Sequence, residues 1–167
     1  NKLEEIIESL KVNDSRYRPA YVTKTGVYNR SLSKISQSDL VSNAVNYVTC
    51  GGSGKLTVEG ASISNVVIVT ACQVTLANNL QVRDAIIATT STSSKSISSS
   101  SGLVVGIDDS CAEGGGSQLL TLGSMNFAAD LHIYGSQLLA AGDIEFAANA
   151  DGVEGASMIA GGTLSGT

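Results

Sequence analysis

The chain has no tryptophan, one proline and one histidine in 167 residues, and aromatics make up only 4% of it. A bulky aromatic core is excluded, and 18 glycines among abundant Ser and Thr favour closely stacked strands with tight corners. No run of Lys or Arg offers a phosphate-binding surface, and the net charge of −5 argues against nucleic acid as a partner. No C-x-x-C pair occurs, which with a single histidine makes a poor zinc site. The chain also lacks both a long uncharged apolar run and a charged-then-apolar leader. It begins at Asn1 rather than Met, so a processed or partial chain is expected. Any targeting segment or membrane anchor would lie upstream, and membrane attachment is expected only through it.

What is present is enough for one domain: 43% of the residues are hydrophobic. Residues 1–11, "NKLEEIIESLK", space Leu3, Ile6, Ile7 and Leu10 as one face of a short amphipathic helix, with acidic residues near its start. "YRPAYVTKTGVYNRS" holds three of the five tyrosines and the only proline, and reads as an extended connector with room for one strand. "SQSDLVSNAVNYV" fits a helical turn capped by Ser36 or Ser38. The helix and connector are expected over 1–45, and the main domain over 46–167.

From about residue 48 the text repeats. Residues 66–89 overlay 117–140 without a gap, placing Ile68-Val69-Thr70 on Leu119-Leu120-Thr121, Val74 and Leu76 on Met125 and Phe127, and Leu80 and Val82 on Leu131 and Ile133. Inside each copy the period is shorter: Ile68 to Ile87 and Leu119 to Leu138 are each nineteen residues, and Leu138 to Met158 is twenty. Units this short cannot bury their apolar faces alone, whereas stacking one turn on the next does so. The fold expected is all-β: a single-stranded parallel β-helix, or β-solenoid, with about 19–20 residues per turn and three short sides. The Asn ladder of leucine-rich repeats and the six-residue text of left-handed hexapeptide helices are both absent, which favours the right-handed form. "TSTSSKSISSSSG" and "GIDDSCAEGGG" interrupt the pattern, so a Ser/Gly-rich insertion is expected to leave the stack as a loop over about 90–116, with "LVV" at 103–105 returning to it.

Cys50 and Cys72 are one turn apart, a spacing that puts them in adjacent layers at disulfide distance; three reduced cysteines is the alternative. Cys111 is then odd and left unpaired, or paired with a partner outside this chain. His132, with Asp130 and Ser136 nearby, allows a nucleophilic triad on paper. In an L-x-I strand, however, the middle side chain points outward, and the overlay gives His132 a counterpart in Gln81. Asp108 and Asp109 fall in the insertion, and Asp143, Glu145, Asp151 and Glu154 are scattered with no Lys or Arg after position 95. Carboxylate catalysis would lack its cation. Asp143 and Asp151 lie in no calcium-loop text. No catalytic, cofactor-binding or metal-binding residue is therefore expected. The outward positions His132, Tyr134 and Glu145 form the candidate interaction face.

"VVIVTACQVTL", then "DAIIATTST", then the text from "GIDDSCAEGGG" onward, with Cys-Ala-x-Gly-Gly-Gly at 111–116 and Ala-Gly-Asp-Ile-x-Phe at 141–146, resembles the C-terminal region of TadE/TadG-like Flp (tight adherence) pilus-assembly proteins over roughly residues 45–167. The resemblance implies an extracytoplasmic protein, in the periplasm or on the surface of a Gram-negative bacterium. It also implies pilus-assembly or pilin subunits as partners and brings no catalytic residue. The first functional expectation is thus a non-enzymatic envelope protein acting in assembly or anchoring of adhesive pili. The alternatives are a polysaccharide-binding or polysaccharide-cleaving β-helix, and a self-associating, bactofilin-like scaffold. Tyr134 is the only aromatic after Tyr47 besides Phe127 and Phe146, which argues against a sugar groove.

Overall fold

The computed structural model describes residues 1–108, 116–147, 153–154 and 156–166. One helix, α1 (Lys2–Lys11), precedes seventeen strands among these residues. In chain order they are β1 (Val27–Ser31), β2 (Lys34–Ile35), β3 (Val45–Thr49), β4 (Lys55–Val58), β5 (Ser62–Thr70), β6 (Gln73–Leu76), β7 (Gln81–Thr89), β8 (Ile97–Ser99) and β9 (Val104–Val105). They continue as β10 (Gln118–Thr121), β11 (Met125–Phe127), β12 (His132–Tyr134), β13 (Gln137–Ala140), β14 (Ile144–Phe146), β15 (Val153–Glu154), β16 (Ser157–Ala160) and β17 (Leu164–Gly166).

The strands pair in parallel and wind into a β-solenoid of about six turns. Side one runs β1-β3-β5-β7-β10-β13-β16 and side two runs β2-β4-β6-β8-β11-β14-β17. Side three begins on the first halves of β5 and β7 and continues through β9, β12 and β15. β5 and β7 serve two sides because each bends once: Ser64 pairs with Arg83 and Val66 with Ala85, while Asn65 and Asp84 between them take φ of 54° and 44°. Asn and Asp enter that left-handed region more readily than other non-glycine residues. Asn79 and Asp130, both at φ 61°, turn side two into side three in the same way.

The expected period is visible in the register. Gln118 stands opposite Gln137, and their side-chain amides bond at 2.9 Å across a separation of 19 residues. Inward positions form files: Ile68, Ile87, Leu119 and Leu138 on side one, and Leu56, Val74, Ile97, Met125 and Ile144 on side two, all fully buried. Each such side chain contributes about 1.5–3 kcal/mol by leaving water.

Side one reads as continuous apolar text because both of its surfaces are covered. Outward Val67, Val69, Ile86, Ala88 and Leu120 pack beneath α1, whose Ile7 and Leu10 are buried against them. Asn1 caps the helix, its side-chain oxygen accepting from the Leu3 N–H at 2.9 Å. The terminal helix is therefore docked along its apolar stripe.

Two expected boundaries shift. β1 and β2 lie within the segment read as connector, yet they pair with β3 and β4 and already belong to the stack. The Ser36-capped turn is present as a single 3-10 turn, Gln37–Asp39. The serine-rich text also does not wholly leave the stack: Ile97 is fully buried between Val74 and Met125, so β8 supplies a rung. Serine works there because it is small and can satisfy backbone. Ser96 Oγ donates to the Ser124 carbonyl at 2.9 Å, and Ser99 Oγ accepts from the Ala128 N–H at 3.1 Å. Leu103 and Val105 return to the core as their sequence implies.

Candidate functional site

Strand β12 places His132 and Tyr134 on the outer surface of side three, with Ile133 between them pointing into the core. The two rings stack at an 11° interplanar angle with centroids 6.2 Å apart. Asp130 Oδ1 lies 3.1 Å from His132 Nε2, and the Tyr134 hydroxyl lies 3.4 Å from His132 Nδ1. The imidazole is thus held by its two polar neighbours.

Two rungs away, β7 presents Gln81 and Arg83, with Arg83 Nη2 donating to Gln81 Oε1. The rung between carries Val104 and Gly106: Gln81 pairs with Val104, which pairs with His132. Long side chains flank short ones, so the surface sinks into an open trough of about 340 Å³, with Ile107 and Asp108 also lining it. Gly106 cannot be larger. A Cβ there would sit against the Tyr134 carbonyl and 2.7 Å from Ser136 Oγ.

The expected interaction face is divided by this geometry. His132 and Tyr134 share side three, whereas Glu145 lies exposed on side two, in β14, between Asn126 and Ser165 of the neighbouring rungs. Ser136 has both sides of its hydroxyl engaged. Its buried hydroxyl donates to the Tyr134 carbonyl at 2.8 Å and accepts from the Ser117 N–H at 3.0 Å. The Asp143 carboxylate accepts from the Thr163 N–H at 2.7 Å, a link between rungs. No group of three or more His, Cys, Asp or Glu residues suited to a metal ion occurs among the described residues. Asp109, Cys111 and Asp151 lie outside them.

Cys50 and Cys72 form a disulfide across adjacent rungs where side one turns into side two, with Cα atoms 6.5 Å apart. Arg83 was the residue that reading the sequence missed. Its signal was present: the overlay that sets Gln81 against His132 sets Arg83 against Tyr134, two positions on.

Fold and surface together define a disulfide-tied parallel β-solenoid with a polar trough on one side. A family model described as "Domain of unknown function (DUF7867)" matches residues 3–167, and the chain belongs to that family. No curated protein and no solved structure matches it significantly.

Proposed function

We propose that the protein is a non-enzymatic scaffold of the bacterial cell envelope, outside the cytoplasm, acting through protein–protein contacts of its solenoid sides. The observation that carries this reading is the Cys50–Cys72 disulfide, since such bonds persist in oxidising compartments and are rare in the cytosol. The polar side chains that invited a catalytic reading, Ser136 and Asp143, are engaged in holding rungs together. The finer role, assembly or anchoring of Flp/Tad-type adhesive pili with pilus subunits as partners, is supported by the resemblance of residues 45–167 to the TadE/TadG-like proteins.

The test is deletion of the gene in its host with surface pili counted by electron microscopy. Loss of pili, restored by the full-length reading frame, is the expected result. Normal piliation in the deletion strain would discard the pilus role. Photocrosslinkers at Glu145 on side two and at Gln118 on side one would then identify the side that meets a partner.

A further inference from the structure

We propose that the trough on side three binds a uronate-bearing segment of an acidic polysaccharide. This goes beyond a scaffolding role and rests on different residues.

The dimensions come from the stack. Rungs of a parallel sheet are about 4.8 Å apart, so walls two rungs apart leave a channel of about 10 Å between side-chain roots. The Val104–Gly106 rung keeps its floor low, and the clash that any Cβ at Gly106 would meet keeps it so. An elongated ligand can lie in it along the strand direction.

The chemistry of the walls selects the ligand. Among the described residues, Arg83 is the only permanent cation lining the trough, and its planar guanidinium, braced by Gln81, matches a carboxylate in two-point contact. Opposite it, the His132–Tyr134 pair offers apolar ring surface, which meets a sugar's C–H face. Among the described residues, Asp108 lines the trough, Asp130 is engaged with His132, and Asp84 follows Arg83 in β7. An extended peptide fits less well. Its main chain would need an open sheet edge, but the backbone under the trough is already paired between rungs: the Val104 N–H bonds to the Leu80 carbonyl at 3.0 Å, Gly106 to Val82 at 2.7 Å and His132 to Leu103 at 3.0 Å. A scarcity of aromatics argued against a sugar groove, but one tyrosine suffices when it faces a guanidinium across a channel.

The oxidised protein is tested by affinity electrophoresis and calorimetry against polygalacturonate and alginate, with dextran as the neutral comparison and poly-glutamate as the charged peptide. Wild type is expected to bind the uronate polymers, more weakly as salt rises, and to ignore dextran. Arg83→Gln and Tyr134→Ala should each weaken binding by about tenfold or more, while Glu145→Gln on side two leaves it unchanged. Circular dichroism establishes that each variant is folded, and Tyr134→Phe, which keeps the ring, should lose less than Tyr134→Ala. The proposal is overturned if wild type binds no uronate polymer, if binding survives both Arg83→Gln and Tyr134→Ala, or if poly-glutamate binds equally well.

Discussion

Thr70 and Thr89 stand opposite each other in β5 and β7, and each sends its hydroxyl to the preceding rung: Thr70 Oγ1 to the Val48 carbonyl at 2.8 Å, Thr89 Oγ1 to the Cys72 carbonyl at 2.6 Å. Each oxygen also accepts the N–H two residues on, from Cys72 and Ser91 respectively, both at 3.1 Å. Both threonines are fully buried, so a corner of the solenoid is fastened by hydroxyls with donor and acceptor sides both used. Thr89→Val keeps the shape and takes the partner from a buried carbonyl and a part-buried N–H. Urea denaturation should show a loss of about 1–3 kcal/mol, against about 0.5 kcal/mol or less for Thr49→Val, an exposed position at the end of β3, one residue past the Val48 that stands opposite Thr70.

The disulfide beside this corner closes a loop of 22 residues. Chain-entropy reasoning gives about 3 kcal/mol for a loop of that size. The double variant Cys50→Ala/Cys72→Ala should lose about that much, and wild type in strong reductant should fall to the same midpoint. A wild-type midpoint indifferent to reductant would show that the bond adds nothing to stability.

How far these features were legible depends on whether a residue's partners repeat with it. Ile68, Ile87 and Leu119 could be aligned by eye because each inward position must be apolar in every turn. Ile97 could not: it is one apolar residue among serines, and only the files above and below, Met125 and Val74, make it a strand. The gapless overlay also skipped a layer. It set Gln81 on His132, where the structure inserts Val104 between them, and that low middle rung creates the trough. The serine and glycine segments vary the turn length, so period alone does not count rungs through them.

Tyr21 carries a pH prediction. Burial, with a smaller contribution from the Asp84 charge, holds its phenol well above the ordinary tyrosine range. A group whose folded pKa is raised binds its proton more tightly folded than unfolded. Its stabilisation is therefore complete below the unfolded value of about 10 and declines as pH rises beyond it. Absorbance titration at 295 nm should leave at least one of the five tyrosines un-ionised until the fold opens. Tyr21→Phe should flatten the alkaline loss of stability; an unchanged alkaline profile in that variant would assign the loss to other groups.

Gly142 tests the tightness of the corner between sides one and two. A Cβ there would lie 2.9 Å from the Gly123 carbonyl and still closer to Ser124 Oγ, whereas one at Gly52 would meet nothing within 4 Å. Gly142→Ala should cost about 1–3 kcal/mol and Gly52→Ala should stay within about 0.5 kcal/mol of wild type. Equal effects at the two positions would mean that the corner can relax around a methyl group.

Ile7 decides whether α1 is an ornament or a structural part. The helix has 10 residues, a length at which an isolated helix is marginal in water, so its order must come from docking. Ile7 is fully exposed to none of that water: it is buried against the outer apolar surface of side one. Ile7→Ala should cost about 2–5 kcal/mol of docking energy, enough to release the helix. Because the inward files of the solenoid do not touch Ile7, the loss should be local. Amide exchange should speed up over residues 2–11 while β5, β7 and β10 stay protected, and the uncovered Val67, Val69 and Leu120 should bind a hydrophobic dye. Loss of protection throughout the sheets would instead make the helix part of one cooperative unit, with side one unable to stand uncovered.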